Sequence, residues 1–159
     1  MSSKFSHLDE KGQARMVDIG DKPDTSRTAV AKGEIVMRKE TLDLIETDSI
    51  TKGDVLGVSQ LAGVMGAKRT ADLIPLCHPL SLNQVTVDFE IDHDLPGVKI
   101  TATTKTVGKT GVEMEALTAV AITALTIYDM AKAAEKTMQI QNIRLVEKHG
   151  GRSGAVINE

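Results

Sequence analysis

The longest regular pattern of hydrophobic and polar positions in the chain lies in residues 112–136. This stretch has no Gly or Pro, and it is rich in Ala, Leu, Met and Glu, which are good helix formers. Its middle, residues 116–128, is apolar on nearly every side apart from its threonines, which is typical of a helix that other elements cover. The pattern therefore predicts one long central helix, about 37 Å in length at about 1.5 Å per residue.

Alternating apolar and polar positions predict four strands around this helix. These strands lie at residues 28–38, 84–92, 98–107 and 140–147. A Leu-Pro-Gly turn at residues 95–97 joins the second strand to the third, so we expect these two to form an antiparallel hairpin.

Two more helices are predicted between the first strand and this hairpin, at residues 39–46 and 54–73. The second of them contains Gly57, Gly63 and Gly66. Because glycine costs about 1 kcal/mol relative to alanine inside a helix, we expect another backbone to approach this helix closely.

The order β-α-α-β-β-α-β predicts an α+β fold, a ferredoxin-like antiparallel sheet with helices packed on one face. The length of 159 residues suits a single domain over residues 1–159, with an extended N-terminal arm at 1–28 and a flexible C-terminal tail at 149–159. Apolar residues make up 41% of the chain but aromatic residues only 2%, so we expect an aliphatic core.

Composition and charge disfavour several classes of function. The net charge is −3 and aromatic residues are few, so we expect no binding to nucleic acid or to membranes. The single cysteine, Cys77, excludes a disulfide framework within the chain and suits a reducing compartment. No apolar run opens the chain, and no stretch of membrane-spanning length is free of Gly and charge, so we expect a cytoplasmic protein.

The end of the predicted central helix carries two charged residues in an otherwise apolar column. Asp129 and Lys132 lie three positions apart and therefore share one face of the helix. As an exposed ion pair they would contribute roughly 0.2–0.5 kcal/mol. Their apolar neighbours instead favour partial burial, where an aspartate can keep its proton, a lysine can lose one, and both can transfer protons.

A third charged residue, Glu115, lies fourteen positions before Asp129. At about 100° and 1.5 Å per residue, the two side chains point in nearly the same direction but lie roughly 21 Å apart. Two copies of the helix packed antiparallel across a two-fold axis would bring the start of one against the end of the other. Provided that the two acids act together, we predict a site shared between subunits.

Lysines stand beside glycines at three junctions between predicted elements. Lys52 precedes the second long helix, Lys109 lies in the string GKTG at residues 108–111, and Lys148 precedes a glycine-rich segment. The start of the central helix also favours an anion, because its backbone N–H groups are unpaired. The Walker pattern fails at Thr103, and a plain turn or a solvated tail would explain these lysines as well. Together they favour an anionic phosphate ligand.

The loop between Pro75 and Pro79 is predicted to be stiff, since each proline restricts the residue before it. It presents His78, which suits three roles: a general acid–base group, a phosphate donor or a packed loop residue. Cys77 is adjacent to His78, whereas zinc ligands are usually spaced by two or more residues, and no second Cys or His pair completes a set. We therefore predict no structural metal.

Six strings occur in one order along almost the whole chain: MVDI at 16–19, KGDV at 52–55, AKRT at 67–70, DLIPLCHPL at 72–80, GKTGVEMEALT at 108–118 and YDM at 128–130. In these strings the chain resembles the family of cyclic pyranopterin monophosphate synthases, the accessory protein C of molybdenum cofactor biosynthesis. The fourth and fifth strings are highly specific to that family.

The resemblance implies an enzyme that converts (8S)-3',8-cyclo-7,8-dihydroguanosine 5'-triphosphate to cyclic pyranopterin monophosphate. Pyrophosphate is released, so the enzyme would be a lyase of the phosphorus–oxygen type in molybdopterin biosynthesis. The resemblance implies no redox cofactor and leaves open a Mg²⁺ ion bound with the triphosphate. It also implies a homohexamer, a trimer of dimers with the pocket at the dimer interface.

The resemblance further assigns roles to ten residues. Asp129 is implied to be the catalytic acid–base residue and Lys132 its partner. The implied substrate-binding residues are Leu76, Cys77, His78, Met114, Glu115, Lys52, Glu113 and Lys148. The residues alone leave open which of Asp129, Lys132, His78 and Glu115 performs each proton transfer.

Two other classes of function fit the same residues. One is a non-catalytic oligomeric module that binds a nucleotide or phosphate, because ferredoxin-like folds host many ligand-binding functions. The other is a purely structural oligomer, in which Asp129 and Lys132 form an interface ion pair.

Overall fold

An antiparallel sheet forms the centre of the fold. The computed structural model describes residues 7–9 and 11–159. In this part of the chain the strands are β1 (Thr25–Val36), β2 (Gln84–Asp92), β3 (Gly97–Gly108), β4 (Gln139–His149) and β5 (Val156–Ile157). They lie in the order β2-β3-β1-β4-β5, and every neighbouring pair is antiparallel.

Helices connect these strands in two groups. The helices are α1 (Lys39–Glu46), α2 (Val55–Lys68), α3 (Thr70–Leu73) and α4 (Glu113–Ala131). The first three lie between β1 and β2, and α4 lies between β3 and β4, so each connection joins two parallel strands that flank a third. This arrangement confirms the predicted α+β, ferredoxin-like fold.

The buried face of the sheet follows from the alternation of residues along its central strand. In β1, Ala31 and Ile35 are fully buried, whereas Lys32 belongs to the opposite face. Gly33 lies on the buried side, where a Cβ would sit 2.7 Å from Cγ1 of Val120 in α4. Because even an alanine would collide at this position, the glycine sets how closely α4 lies to the sheet.

Two glycines of α2 allow an equally close approach from the other side of α4. A Cβ on Gly63 would lie 3.1 Å from the carbonyl oxygen of Ala119, and a Cβ on Gly66 would lie 2.8 Å from Cγ1 of Ile122. Both partners belong to α4. The close approach predicted from the glycines is therefore confirmed, and α4 is the element that makes it.

The start of α2 uses its glycine differently. Asp54 caps the helix, because its Oδ1 accepts a hydrogen bond of 2.8 Å from the N–H of Gly57. A Cβ on Gly57 would collide with the same carboxylate. This geometry confirms the capping interpretation of Asp54, and it places Lys52 in the link just before the helix.

The core is aliphatic, as predicted. The largest fully buried side chains of the described residues belong to Ile, Leu, Val and Thr, among them Ile35, Leu42 and Ile127. Phe89 and Tyr128 pack against this core but are only partly buried. Burial of aliphatic side chains, at about 25 cal/mol per Å² of apolar surface, therefore supplies the main stabilising contribution.

α4 is long and apolar enough to span a membrane by length and composition alone, with a mean hydropathy of 1.3. In this fold, however, 56% of that window is buried inside the protein. The helix contacts α2 and the strands β1, β3 and β4. Its apolar character is therefore accounted for by its place in the core.

Two predicted helices end earlier than expected. The predicted helix at 54–73 breaks at Arg69 into α2 and α3. The central helix, predicted to reach residue 136, ends at Ala131 because Glu135 turns into the protein. There its carboxylate accepts hydrogen bonds of 2.8 Å from the N–H of Arg38 and 2.7 Å from the hydroxyl of Thr137. A buried glutamate with these partners cannot remain on a solvent-facing helical turn.

The ends of the chain also differ from the predicted arm and tail. β1 begins at Thr25, three residues before the predicted start of the first strand, and the arm residues 1–6 and 10 lie outside the described residues. Within the predicted tail, β5 pairs with β4, and the N–H of Asn158 donates to the carbonyl oxygen of Val146 at 2.8 Å. This short strand was not predicted, since a two-residue element has no periodicity.

The glycine contact between α2 and α4 generates a prediction about stability. We expect Gly63→Ala to destabilise the protein by about 1–3 kcal/mol, because the methyl group would be forced against the hydroxyl of Thr123 and the carbonyl oxygen of Ala119 in α4. The measurement is the free energy of unfolding from urea denaturation. Gly108→Ala is the matched control, since a Cβ there would meet its nearest atom at 3.7 Å. A Gly63→Ala protein at least as stable as wild type would show that helix propensity outweighs this contact.

Candidate active site

A cleft of about 310 Å³ opens at the N-terminal end of α4. It is built from the arm before β1, the loop between α3 and β2, and the turn from β3 into α4. In that order, the lining residues are His7, Val17, Ile19, Lys22, Leu76, Cys77, His78, Leu80, Thr110, Gly111, Glu113, Met114 and Glu115. Six of the ten residues implied by the resemblance therefore line one cleft.

The loop between α3 and β2 presents residues 76–78 to this cleft. α3 ends just before Ile74, which has the extended ψ of 110° that a following proline, Pro75, favours. The N–H of Cys77 then donates to the carbonyl oxygen of Ile74 at 3.1 Å and closes a turn. Local sequence therefore fixes the direction in which this loop enters the cleft.

Glu115 lies in the first turn of α4 and is only 4% exposed. Burial raises the pKa of its carboxyl from 4.5 to about 7; its own backbone amide opposes this shift, and the nearby charge of Glu113 adds to it. Both protonation states are therefore populated near neutral pH, which suits a group that gives and takes protons. Burial and the charge of Glu115 also raise the pKa of the Cys77 thiol, which keeps that thiol protonated.

Two side chains hold the N-terminal arm against the cleft. Nε2 of His78 lies 2.6 Å from the carbonyl oxygen of Val17, and because a carbonyl oxygen can only accept, this nitrogen donates its hydrogen to the arm. Nζ of Lys109 donates to the carbonyl oxygen of Gly20 at 2.5 Å. The string GKTG is thus a strand-to-helix turn whose lysine binds the arm.

Glu113 and Lys148 connect the start of α4 to the end of β4. Nζ of Lys148 lies 3.5 Å from Oε1 of Glu113 and also donates to the hydroxyl of Ser153. Lys148 is largely shielded from solvent, with 18% of its side chain exposed. Lys148 therefore adjoins the cleft, although it does not line it, and the charge of Glu113 is neutralised.

The other predicted site residues form a second cluster at the C-terminal end of α4. Nζ of Lys52 lies 2.9 Å from Oδ2 of Asp129, and Nζ of Lys132 lies 2.7 Å from Oδ1 of the same carboxylate. Asp129 lies in the last turn of α4, where backbone carbonyl oxygens have no partner within the helix. Its carbonyl oxygen accepts a hydrogen bond of 3.0 Å from Lys52. Depressions of about 210 and 280 Å³ adjoin the cluster, one lined by Lys52 and the other by Lys132.

The expected partial burial of Asp129 and Lys132 is wrong for the single chain. Their side chains are 56% and 50% exposed. Hydrogen bonds from Lys132 first, and then from Lys52, lower the pKa of Asp129 to about 2, and the bond to Asp129 raises the pKa of Lys132. Both groups are therefore held in their charged forms, and the acid tuned towards neutral pH is Glu115 instead.

The two clusters lie at opposite ends of one helix. Glu115 and Asp129 are fourteen positions apart, which corresponds to roughly 21 Å along α4. The structure thus brings Lys148 and the six lining residues together, and it brings Lys52, Asp129 and Lys132 together elsewhere. Lys22 also lines the cleft and was not predicted from the sequence. It lies in a polar arm whose residues show no periodic pattern.

Three side chains with metal-ligating atoms lie close together apart from both clusters. Among the described residues, Asp43, Glu46 and His93 can place one ligand atom each within 4.8 Å of the others. All three side chains are exposed, and Glu46 pairs with His93 at 3.5 Å. Exposed acidic groups of this kind are common on protein surfaces, so the trio is not assigned a metal.

The comparison with known proteins covers nearly the whole chain. A protein of Natranaerobius thermophilus named cyclic pyranopterin monophosphate synthase is 55% identical to it over 159 residues, 100% of both chains. Proteins of the same name from Roseiflexus sp. and Brucella ovis are 59% identical over 157 residues and 56% identical over 154 residues. These alignments cover 99% of both chains for Roseiflexus, and 97% of this chain and 93% of the relative for Brucella. The model of the MoaC family matches residues 16–151. The chain therefore belongs to the MoaC family.

Proposed function

We propose that the protein is a cyclic pyranopterin monophosphate synthase. It would convert (8S)-3',8-cyclo-7,8-dihydroguanosine 5'-triphosphate to cyclic pyranopterin monophosphate and pyrophosphate in molybdenum cofactor biosynthesis. The observation that carries this proposal is identity of 55–59% over nearly the full length of relatives with that name. The two clusters on α4 support it, because together they supply the proton-transfer and cationic groups that this reaction requires.

The final step of this reaction is a lyase step at phosphorus. A hydroxyl oxygen of the substrate forms a bond to the α-phosphorus, and the bond from that phosphorus to the oxygen bridging to the β-phosphate breaks. Pyrophosphate leaves with its negative charge, and the hydroxyl proton passes to a base. Lys52 and Lys132 would stabilise the charge on the phosphates as ammonium groups. We propose no redox cofactor, and Mg²⁺ would enter only as a counter-ion of the triphosphate.

The earlier steps open one ring and close another, and they require groups that exchange protons near neutral pH. Glu115 fits this role because its pKa is about 7. Asp129 is ionised, with a pKa of about 2 while Lys52 and Lys132 bind it, and it would accept a proton once the substrate phosphates bind these lysines instead. Residues 76–78 and Met114 would contact the ring system at the cleft, and the Glu113–Lys148 pair would hold one wall of it.

We propose that the complete site lies between two subunits of a homohexamer, a trimer of dimers. Between the two clusters, Leu125 of α4 is 54% exposed and Ala121 is half-buried, so the helix presents an apolar stripe to solvent. Leu61 and Met65 of α2 are exposed to a similar degree. The apolar stripe on α4 supports antiparallel packing of two α4 helices, which would bring Glu115 of one subunit towards Asp129 of the other. We place the assembly in the cytoplasm.

The first prediction concerns turnover. We expect wild type to form cyclic pyranopterin monophosphate and pyrophosphate from the cyclised dihydro-GTP, and Lys132→Ala to lose at least about 100-fold in kcat/KM. Lys105→Ala, an exposed lysine on the open face of the sheet, is the matched control and should retain activity. A folded Lys132→Ala enzyme with normal turnover would contradict the role of Lys132. A correctly assembled wild type without product would favour a nucleotide- or phosphate-binding module.

The second prediction concerns the shared site. Glu115→Ala and Asp129→Ala should each abolish turnover, but co-expression of the two variants should restore about a quarter of wild-type activity, since half of randomly formed dimers carry one intact site out of two. Each variant mixed with itself is the control. Restoration to no more than the level of the single variants would exclude a site that combines Glu115 of one subunit with Asp129 of the other.

The third prediction concerns pH. Folding raises the pKa of Glu115 from 4.5 to about 7, so the folded state binds this proton more tightly than the unfolded state. The contribution to stability is complete below the unfolded pKa and is lost as pH rises through the folded one. We therefore expect urea midpoints of wild type to fall between pH 5 and pH 8 more steeply than those of Glu115→Gln. Parallel pH profiles of the two proteins would show that Glu115 is not perturbed.

A further inference from the structure

The N-terminal arm forms one wall of the cleft and carries a cation that the resemblance does not assign. Val17, Ile19 and Lys22 line the cleft together with residues 76–78 and the start of α4. Lys22 is half-buried, and Pro23 follows it, which biases its backbone towards an extended conformation.

Four hydrogen bonds fix the backbone of this part of the arm. The carbonyl oxygens of Val17 and Gly20 accept from His78 at 2.6 Å and from Lys109 at 2.5 Å. Within the arm, the N–H of Gly20 donates to Oδ1 of Asp18 at 2.8 Å. The N–H of Lys22 donates to the carbonyl oxygen of Ile19 at 3.1 Å. Lys22 is therefore held at the cleft by its backbone and not by its charge.

The ammonium group of Lys22 differs from those of the other lysines around the two clusters. Lys52 and Lys132 bind Asp129, and Lys148 binds Glu113. Within the described residues, the side chain of Lys22 has neither an ion pair nor a hydrogen-bond acceptor. A partly desolvated ammonium group without an acceptor favours an anionic ligand.

The charges of the cleft lead to the same conclusion. Lys148 neutralises Glu113, and Glu115 is half ionised at its pKa of about 7 and increasingly neutral below it. Without Lys22 the cleft would carry the partial negative charge of Glu115 near neutral pH. Lys22 therefore makes the cleft cationic, which a polyphosphate substrate requires.

We propose that Lys22 is a further substrate-binding residue, whose ammonium group binds a phosphate oxygen of the triphosphate, and that Lys109 is a positioning residue for it. Lys109 acts through its bond to Gly20, which keeps the arm, and with it Lys22, at the cleft. This inference rests on the proposed function, because that function supplies the triphosphate.

Steady-state kinetics with the cyclised dihydro-GTP test the role of Lys22. Lys22→Met removes the charge but keeps the length of the side chain, so we expect KM to rise about tenfold with kcat changed less than about twofold. Lys22→Arg restores a cation and should recover most of the loss. Lys11→Met is the matched control, since Lys11 is an exposed lysine of the same arm that does not line the cleft.

Hydrogen exchange separates positioning from binding. Lys109→Met should raise KM and also speed amide exchange at residues 17–22 by about tenfold, because the arm loses one of its two attachments. Lys22→Met should raise KM but leave this exchange at the wild-type rate. These two patterns distinguish a residue that touches the substrate from one that holds the arm.

Each outcome decides one part of the inference. A Lys22→Met enzyme with an unchanged KM would exclude Lys22 as a ligand of the substrate while leaving the synthase activity of wild type intact. Faster exchange in Lys109→Met with an unchanged KM would exclude the positioning role alone. A wild type without any turnover would overturn the proposed function, and with it this inference.

Discussion

α4 contacts four strands of the sheet and α2, and glycines on both sides set how close these contacts are. Gly33 admits Val120 of α4 against β1, and Gly63 admits the backbone of α4 against α2. Packing at this distance leaves no space for a side chain at either glycine, so α4 cannot move closer to β1 or α2 without collisions. A helix fixed in this way defines where its two ends lie. One end meets the loop at residues 76–78 and the arm, and the other meets the link that carries Lys52.

The two ends of α4 have opposite effects on the acids they carry. The dipole at the helix start stabilises an ionised Glu115, but such effects are typically 0.3–1 kcal/mol, well under one pKa unit. Burial can raise the pKa of a carboxyl by up to several units, so burial determines the result at Glu115. At the helix end the dipole disfavours the ionised form of Asp129. The Nζ atoms of two lysines lie within 3 Å of its carboxylate and outweigh the dipole. Because the carboxylate is exposed, burial hardly opposes its ionisation. A carboxyl with a pKa near neutrality and an ionised carboxylate paired with two lysines are thus separated along one rigid element.

Periodicity predicted the elements whose burial is regular along the chain. β2 has the predicted bounds, because one of its faces packs against helices and the other faces solvent along its whole length. The end of α4 was predicted too late, since Glu135 leaves the helix for partners at Arg38 and Thr137 that are distant in sequence. The six family strings identified most of the cleft. The exposure of Asp129 and the bond from Lys109 to the arm depend on tertiary contacts, which no local pattern contains.

The rigidity of α4 has a consequence for how the two clusters can act together. A helix of this length does not fold back on itself, so the roughly 21 Å between Glu115 and Asp129 persists in any motion of the single chain that keeps the fold. The triphosphate end of a nucleotide and its ring system are also far apart, but one acid–base centre requires its groups within about 3 Å of the reacting atoms. If both clusters serve one reaction, the partner must be another chain. The apolar stripe on α4 between the clusters is where that chain would have to bind.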